Sequence, residues 1–293
     1  MNLFLPKKNR CFDLTDRITI IYTAITGIIL LLNFNDTWLH ILIHTFILAF
    51  IFILGTTCNK KNKILNWTHR LYPLVLLSFF FPETDYINNI FTFTLDPLII
   101  NIENNLFGYL PSDMFSLRYP SPWFSELMHL GYFSFYPLIT FFVFYYYYRH
   151  PELAGKRVFT FFFSFYFFYL IFIFFPSEGP HYFLNSSHSG ITNGYIFSDI
   201  MKVIIELGDR PTGAFPSSHV GITWIAMSFF YKDSRKIFLI WLIPATVLTF
   251  STVYINAHYA LDVAGGFLMV PLFIWLGNTL YDKIQERFHA NNM

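Results

Sequence analysis

The chain has 293 residues, of which 55% are hydrophobic, 22% are aromatic and only 13% are charged. About a quarter of the residues of a soluble domain are charged, so this composition excludes an ordinary water-soluble globule and a disordered chain. The formal net charge of +1 gives no basic surface for nucleic acid. The composition therefore predicts an integral membrane protein that lies in the lipid bilayer.

Membrane-spanning helices need about 20 mostly apolar residues. The sequence contains eight such segments, which predict an all-α membrane protein with about eight transmembrane helices. The predicted spans are residues 18–34, 38–56, 64–82, 126–148, 157–176, 216–231, 237–255 and 260–281.

The basic residues predict how these spans are oriented. With the N-terminus inside, every Lys and Arg except Arg118, Lys202 and Arg210 falls on the inner side. This bias is expected of a bacterial-type inner membrane protein with both termini in the cytoplasm. The long segments 83–125 and 177–215 then lie outside, so we expect chemistry at the periplasmic or extracellular face, because long loops are usually functional or disordered.

The outer segment 83–125 contains a further predicted element. Asp96 and Pro97 are followed by apolar residues up to Phe107. A proline suits the first turn of a helix, where its missing N–H costs nothing. The pattern predicts a helix lying at the membrane interface.

One candidate site motif opens the sixth span, at Gly213–His219. Pro216 suits the first helical turn, where the backbone N–H groups are still free. Together with the hydroxyls of Ser217 and Ser218, these N–H groups could hold an oxyanion. His219 then follows within reach of the bound group.

A second motif runs from Ser251 to Asp262 and also lies at an outer helix end. His258 and Asp262 are four residues apart, so a helix would place them on one face. The carboxylate could then fix the imidazole tautomer and stabilise the imidazolium. The two motifs can meet, which would bring His219 to this pair.

A metal site is an alternative, but two histidines and one aspartate leave no further clear ligand, so we expect neither a metal nor a cofactor.

These residues resemble a known family. The sequence FPSSH at 215–219, followed by YxxxHYxxDVxGG at 254–266, is similar to the type-2 phosphatidic acid phosphatase superfamily of membrane lipid phosphatases and phosphotransferases. The resemblance implies a six-helix catalytic core within residues 64–293, with residues 1–63 contributing a cytoplasmic segment and two added helices.

The resemblance also implies a role for each site residue. His258 would attack phosphorus and become a phosphohistidine, oriented by Asp262. His219 would protonate the leaving lipid alkoxide and then activate the acceptor. Ser217 and Ser218 would bind the phosphoryl oxygens, and no metal would be needed.

The sequence departs from the family pattern at the phosphate-binding arginines. Ser251 is followed by Thr252 where the family usually has Arg. The usual Lys, six residues, Arg-Pro pattern is only approximated by Lys202 and Arg210, and His181 occupies a position where related sequences often have Arg. Arg210 is the preferred candidate to bind the phosphate, with Lys202 and His181 as alternatives.

The predicted function is hydrolysis of a lipid phosphomonoester or pyrophosphate, either phosphatidic acid-like or isoprenyl. The alternative is a phosphotransferase that moves a phospho-head group to a lipid alcohol, since the branch with inositol phosphorylceramide and sphingomyelin synthases also lacks the Ser-Arg start of the third motif. The FPSSH sequence, with Ser218, favours the phosphatase. A non-catalytic transporter or scaffold is the alternative from another class, and the sequence leaves the oligomeric state open.

Overall fold

A computed structural model describes residues 12–57, 62–88, 93–184, 193–208 and 210–290 of the chain. Helices make up most of this part, and no strand occurs in it. The helices are α1 Leu14–Leu30, α2 Phe34–Thr57, α3 Lys63–Asn88, α4 Asp96–Phe107, α5 Pro111–Arg118, α6 Pro122–Phe133, α7 Phe135–Arg149, α8 Pro151–Phe174, α9 Pro180–Phe183, α10 Phe197–Gly208, α11 Ser218–Asp233, α12 Arg235–Tyr254 and α13 Ala260–Ala290.

Five stretches of the described residues are long and apolar enough to cross a membrane. They are Leu14–Thr57, Pro122–Arg149, Pro151–Phe174, Arg235–Tyr254 and Ala260–Arg287. The first stretch contains both α1 and α2, which fold back on each other, because Thr26 Oγ1 of α1 lies 3.0 Å from His44 Nε2 of α2. The all-α membrane class is therefore confirmed, whereas the number of eight spans stays a prediction.

Helix α8 lies at the centre of the bundle. A helix that is hydrophobic on every side is stable only when protein or lipid surrounds it. Most of α8 is buried by other helices, and its aromatic rings fill the core; the fully buried ones include Phe159, Phe161, Phe162, Phe168 and Phe172. Tyr22 of α1 stacks on Tyr166 of α8 with ring centroids 4.8 Å apart, so helix α1 packs on the same centre.

One end of the bundle, where α8 begins, is called the basic end here. At this end Arg157 of α8 pairs with Asp233 at the end of α11, with 2.7 Å between Nε and Oδ2. His69 of α3 lies 2.9 Å from Asp16 of α1, so the starts of these two helices meet there as well. These contacts bring together helix ends that carry much of the positive charge of the sequence.

The opposite end, called the loop end, holds the short helices. Thr84 near the end of α3 contacts Thr212, which precedes α11, with 3.1 Å between the hydroxyl oxygens. The His181 N–H of α9 donates to the carbonyl of Asn256, which follows α12, at 3.0 Å. The helix predicted at Asp96–Phe107 is confirmed as α4. The predicted fourth span, residues 126–148, lies within the apolar stretch Pro122–Arg149, in which α6 and α7 meet at Ser134.

Candidate active site

His258 lies in the short connection between α12 and α13. Its backbone N–H donates to the carbonyl of Thr252 at 3.0 Å, which ties the connection to the last turn of α12. Helix α13 begins only at Ala260. The expectation that His258 and Asp262 share one helical face was therefore wrong, because His258 precedes the helix that carries Asp262.

The ring of His258 is oriented mainly by a backbone carbonyl. Its Nδ1 lies 2.8 Å from the carbonyl oxygen of Ala214, whereas Asp262 Oδ2 is 3.5 Å away. A carbonyl oxygen can only accept, so Nδ1 carries a hydrogen, and in the neutral ring Nε2 then presents a lone pair. Asp262 is too distant for a strong hydrogen bond, so the Ala214 carbonyl is the closer partner of His258 Nδ1.

Asp262 nevertheless joins the two motifs. Its Oδ2 accepts from the backbone N–H of Tyr259 at 2.8 Å, which caps the start of α13. Its backbone carbonyl accepts from the N–H of Ser217 at 2.9 Å. A Cβ at Gly266 would lie 2.6 Å from the carbonyl oxygen of Ser217, so α13 can approach this close only because that residue is glycine.

His219 meets His258, as the sequence predicted. His219 Nδ1 lies 3.3 Å from His258 Nε2, although 39 residues separate the two along the chain. The His219 ring packs against Tyr132 and Phe135, with centroid distances of 4.7 Å and 4.5 Å. Because His258 Nε2 lacks a hydrogen, the hydrogen between the two rings belongs to His219 Nδ1.

The two serines of the first motif have different surroundings. Helix α11 begins at Ser218, and Ser217 is its N-cap, with Oγ accepting from the Val220 N–H at 3.3 Å. Pro216 therefore precedes the helix and does not lie in its first turn, contrary to the sequence-based expectation. The Ser217 hydroxyl is buried and used as a cap, whereas Ser218 borders a cavity together with His219.

The three basic candidates for phosphate binding each have a described neighbour of their own. Lys202 is exposed on α10 and pairs with Asp199 at 3.3 Å. Arg210 lies near Asp85, at the end of α3, where their charges attract. His181 is half-buried in α9, and its ring packs on Tyr182. Their phosphate-binding roles stay predictions, as do those of Ser217 and Ser218.

Sequence reasoning missed two buried carboxylates on α4 that hold the site together. Asp96 accepts from the backbone N–H groups of Glu178 and Gly179 at 2.8 Å and 2.9 Å. Glu103 accepts from the N–H of Leu261 at 2.8 Å, at the start of α13. The signal was present, because acidic residues seven apart in an apolar segment share one helical face.

The Asp96 contact matters because it shapes the loop behind His258. The carbonyl of Ser177 accepts from the N–H of Ala214 at 3.1 Å, and the Ala214 carbonyl in turn accepts from His258. Gly179 has a φ of 85° and packs against Ala214. Helix α4 thus supports the carbonyl that sets the tautomer of His258.

An apolar cavity of about 440 Å³ opens beside His219. Its lining is largely aliphatic and aromatic and comes from α3, α6, α7, α8, α10 and the start of α11. Ser218 and His219 contribute the polar part of the wall near the histidine pair. His258 is not among the lining residues, so the cavity lies on the His219 side of the pair.

The described residues contain no group of three or more His, Cys, Asp or Glu side chains arranged to hold a metal ion. The fold and the paired histidines define an all-α membrane protein with two adjoining imidazoles at one end of the bundle. The chain belongs to the PAP2 superfamily, whose family model matches residues 98–276. No curated protein and no solved structure matches the chain significantly. Membership confirms the family resemblance of the two motifs and indicates a phosphatase-type enzyme.

Proposed function

We propose that this protein is a membrane lipid phosphatase that hydrolyses a lipid phosphomonoester or pyrophosphate through a phosphohistidine. The observation that carries the proposal is the 3.3 Å approach of His219 Nδ1 to His258 Nε2, with the other nitrogen of His258 occupied by the Ala214 carbonyl. A nucleophilic nitrogen with a fixed tautomer beside a proton donor is the arrangement that nucleophilic catalysis requires.

In the first step His258 Nε2 attacks phosphorus and forms a P–N bond. The P–O bond to the lipid breaks, and the leaving alkoxide takes a proton from the imidazolium form of His219, which becomes neutral. The negative charge of Asp262 stabilises the ring of His258 as it becomes cationic, because the two groups are 3.5 Å apart. The N-terminus of α11 offers backbone N–H groups to the phosphoryl oxygens.

In the second step His219 removes a proton from water, and the water oxygen attacks phosphorus. The P–N bond breaks, and inorganic phosphate and free His258 result. The two histidines must separate for either step, because a phosphoryl group between them needs about 3 Å on each side. The ring of His219 borders the cavity, which gives it room to move.

A phosphotransferase that uses a lipid alcohol in the second step is the second candidate. It is favoured by the largely apolar cavity beside His219, the residue that would activate the acceptor. An apolar cavity of this size holds a hydrocarbon chain better than it holds water.

The experiment is to incubate the purified protein with phosphatidic acid, isoprenyl phosphates and isoprenyl pyrophosphates, with and without diacylglycerol or ceramide. Phosphate release without an acceptor supports the phosphatase, and a new phospholipid supports the transferase. If no lipid gives either product, both candidates are contradicted and a non-catalytic role is left.

EDTA should leave the rate unchanged. Loss of activity with EDTA, and rescue by one divalent metal, would contradict metal-independent catalysis.

We also propose that the chain spans the membrane eight times, with both termini and the basic end in the cytoplasm and the site on the periplasmic or extracellular face. The proposal rests on the positive charge gathered at the basic end. Residues 1–63 would then be an addition to a six-helix core in residues 64–293. Cysteines placed near Lys61 should resist an impermeant thiol reagent in intact cells, and strong labelling there would contradict this orientation.

A further inference from the structure

Several helices line the cavity beside His219. Helix α3 contributes Leu74, Leu77 and Ser78, and α7 contributes Ile139. Helix α10 closes another side with Ile204 and Ile205. A largely apolar space of about 440 Å³ within a membrane protein is suited to a hydrocarbon chain.

The position of the cavity relative to the two histidines indicates which part of a substrate enters it. In phosphoryl transfer the attacking and leaving atoms lie roughly in line on opposite sides of phosphorus. With His258 as the nucleophile, the leaving oxygen points toward His219, and the cavity lies on that side. We infer, on the basis of the proposed function, that the cavity binds the hydrocarbon chain of the leaving alcohol and that α3 sets its accepted length.

Helix α10 is built to form a wall between this cavity and lipid. Its residues Ile204 and Ile205 face the cavity, whereas Ile200 and Val203 are exposed on another face. The carboxylate of Glu126 accepts backbone N–H groups at the start of α10, including that of Phe197 at 2.8 Å, and so anchors the helix to α6. A helix with apolar residues both inside and outside, and a charged third face, suits the edge of a bilayer.

The α3 residues that line the cavity lie outside the region that matches the family, residues 98–276. The catalytic motifs lie inside that region, so chain selection by α3 is separable from the chemistry. Ser78 is an exposed residue on the cavity wall, where a larger side chain would enter the space without displacing packed core atoms. Val75, on the same helix, is 71% exposed and does not line the cavity.

The test compares Ser78→Phe with the matched control Val75→Phe, using butyl phosphate and hexadecyl phosphate as substrates. The measured quantity is the ratio of kcat/KM for hexadecyl phosphate to kcat/KM for butyl phosphate. We expect Ser78→Phe to lower this ratio about tenfold or more, because displacing two methylenes from the cavity already has an effect of this size. Val75→Phe should keep the wild-type ratio, and equal ratios in both variants would overturn the inference.

A second measurement needs no turnover and no variant. Wild-type protein is irradiated with hexadecanol that carries a diazirine at its far end, and the labelled peptides are mapped by mass spectrometry. Label on the cavity-facing residues of α3, α7 or α10, competed by unlabelled hexadecanol, supports the inference. Label confined to lipid-facing residues such as Val75 would overturn it. If neither alkyl phosphate nor any lipid phosphate is hydrolysed, the proposed function fails, and this labelling still decides the chain site.

Discussion

Each end of the bundle buries a carboxylate beside a basic side chain, and the two pairs differ in how fully they are bonded. At the basic end, Asp233 accepts from Arg157 through both oxygens, at 2.7 Å and 3.0 Å, and from the Tyr146 hydroxyl at 2.8 Å. The guanidinium also lies 4.6 Å from the centroid of the Phe229 ring. The charges there are matched by close partners, which is what a structural ion pair requires.

At the loop end, Asp262 and His258 are matched less completely. One oxygen of Asp262 caps the Tyr259 N–H and lies 3.5 Å from His258, and Oδ1 has no hydrogen-bond partner among the described residues. His258 Nε2 faces a second imidazole, that of His219. A buried acid–base pair in which a polar atom lacks a hydrogen-bond partner is a candidate for chemistry. A pair whose polar atoms are all hydrogen-bonded contributes to stability instead.

The largest expected effect is that of His258→Ala. Without this imidazole no P–N bond can form, so we expect kcat to fall about 10⁴-fold or more. The direct measurement is brief exposure to a labelled lipid phosphate, an alkaline quench and mass spectrometry of the peptides. Label should appear on His258 in the wild type and be absent from the variant, and label on Ser217 or Ser218 would contradict the assignment of the nucleophile.

The second-largest effect is expected from loss of the proposed general acid, His219. His219→Ala removes the proton donor that faces His258 Nε2, and such groups contribute about 10²–10⁴-fold to rate. Lipid binding should change little, because proton transfer acts mainly in the transition state. Turnover within about threefold of wild type would remove His219 from the mechanism.

Asp262→Asn tests the loop-end pair directly. An asparagine can still cap the Tyr259 N–H, but it removes the charge that stabilises the imidazolium. We expect a loss of about 10²-fold in kcat, smaller than in a triad, because the Ala214 carbonyl still fixes the tautomer. Phosphohistidine formation measured in a rapid quench should slow by the same factor. A rate close to that of the wild type would show that the backbone carbonyl alone suffices.

Asp233→Asn is the matched change at the basic end, and it should affect stability and not chemistry. The variant leaves Arg157 buried with a neutral partner, which costs about 3 kcal/mol. The apparent Tm in detergent should fall, while kcat per folded molecule should stay within about twofold because the site is distant. A large loss of kcat with an unchanged Tm would reverse the distinction between the two ends.

The sequence was enough to predict that the two motifs can meet, because the apolar segments and the positions of the basic residues place both motifs at outer helix ends. Helix α4 was predicted from Asp96, Pro97 and the apolar residues that follow them. What failed was local geometry at helix ends. His258 precedes α13 and Pro216 precedes α11, because where a helix begins depends on its cap and on tertiary contacts.

The support from α4 could not be predicted with the same ease. The carboxylates of Asp96 and Glu103 bond backbone N–H groups that lie 82 or more residues further along the chain. Such groups carry no side-chain signature, so neither hydrophobic period nor residue type identifies the partner. Only the burial of charge on an apolar helix, which is costly unless it is paired, indicated that these residues had a task.

The smallest effect is expected at Glu103, whose carboxylate accepts from the Leu261 N–H beside Asp262. Burial raises the pKa of Glu103, and the backbone hydrogen bond opposes this shift only in part. Helix α4, with 12 residues, is too short to span a bilayer. Because its pKa is raised, Glu103 keeps its proton to a higher pH in the folded protein than in the unfolded chain. Where only the folded state is protonated, the free energy of unfolding falls as pH rises, because the unfolded state binds fewer protons.

Glu103→Gln should remove this contribution and flatten the fall in unfolding free energy as pH rises through the raised pKa of Glu103. The matched control is Glu206→Gln on α10, where the carboxyl is exposed and the wild-type slope should remain. Denaturant unfolding in detergent at a series of pH values measures both variants. The amide of glutamine can still accept from Leu261, so kcat should fall only severalfold, through a weaker hydrogen bond at the start of α13. A slope in Glu103→Gln equal to that of the wild type would show that this carboxyl is not the buried acid that supports the loop end.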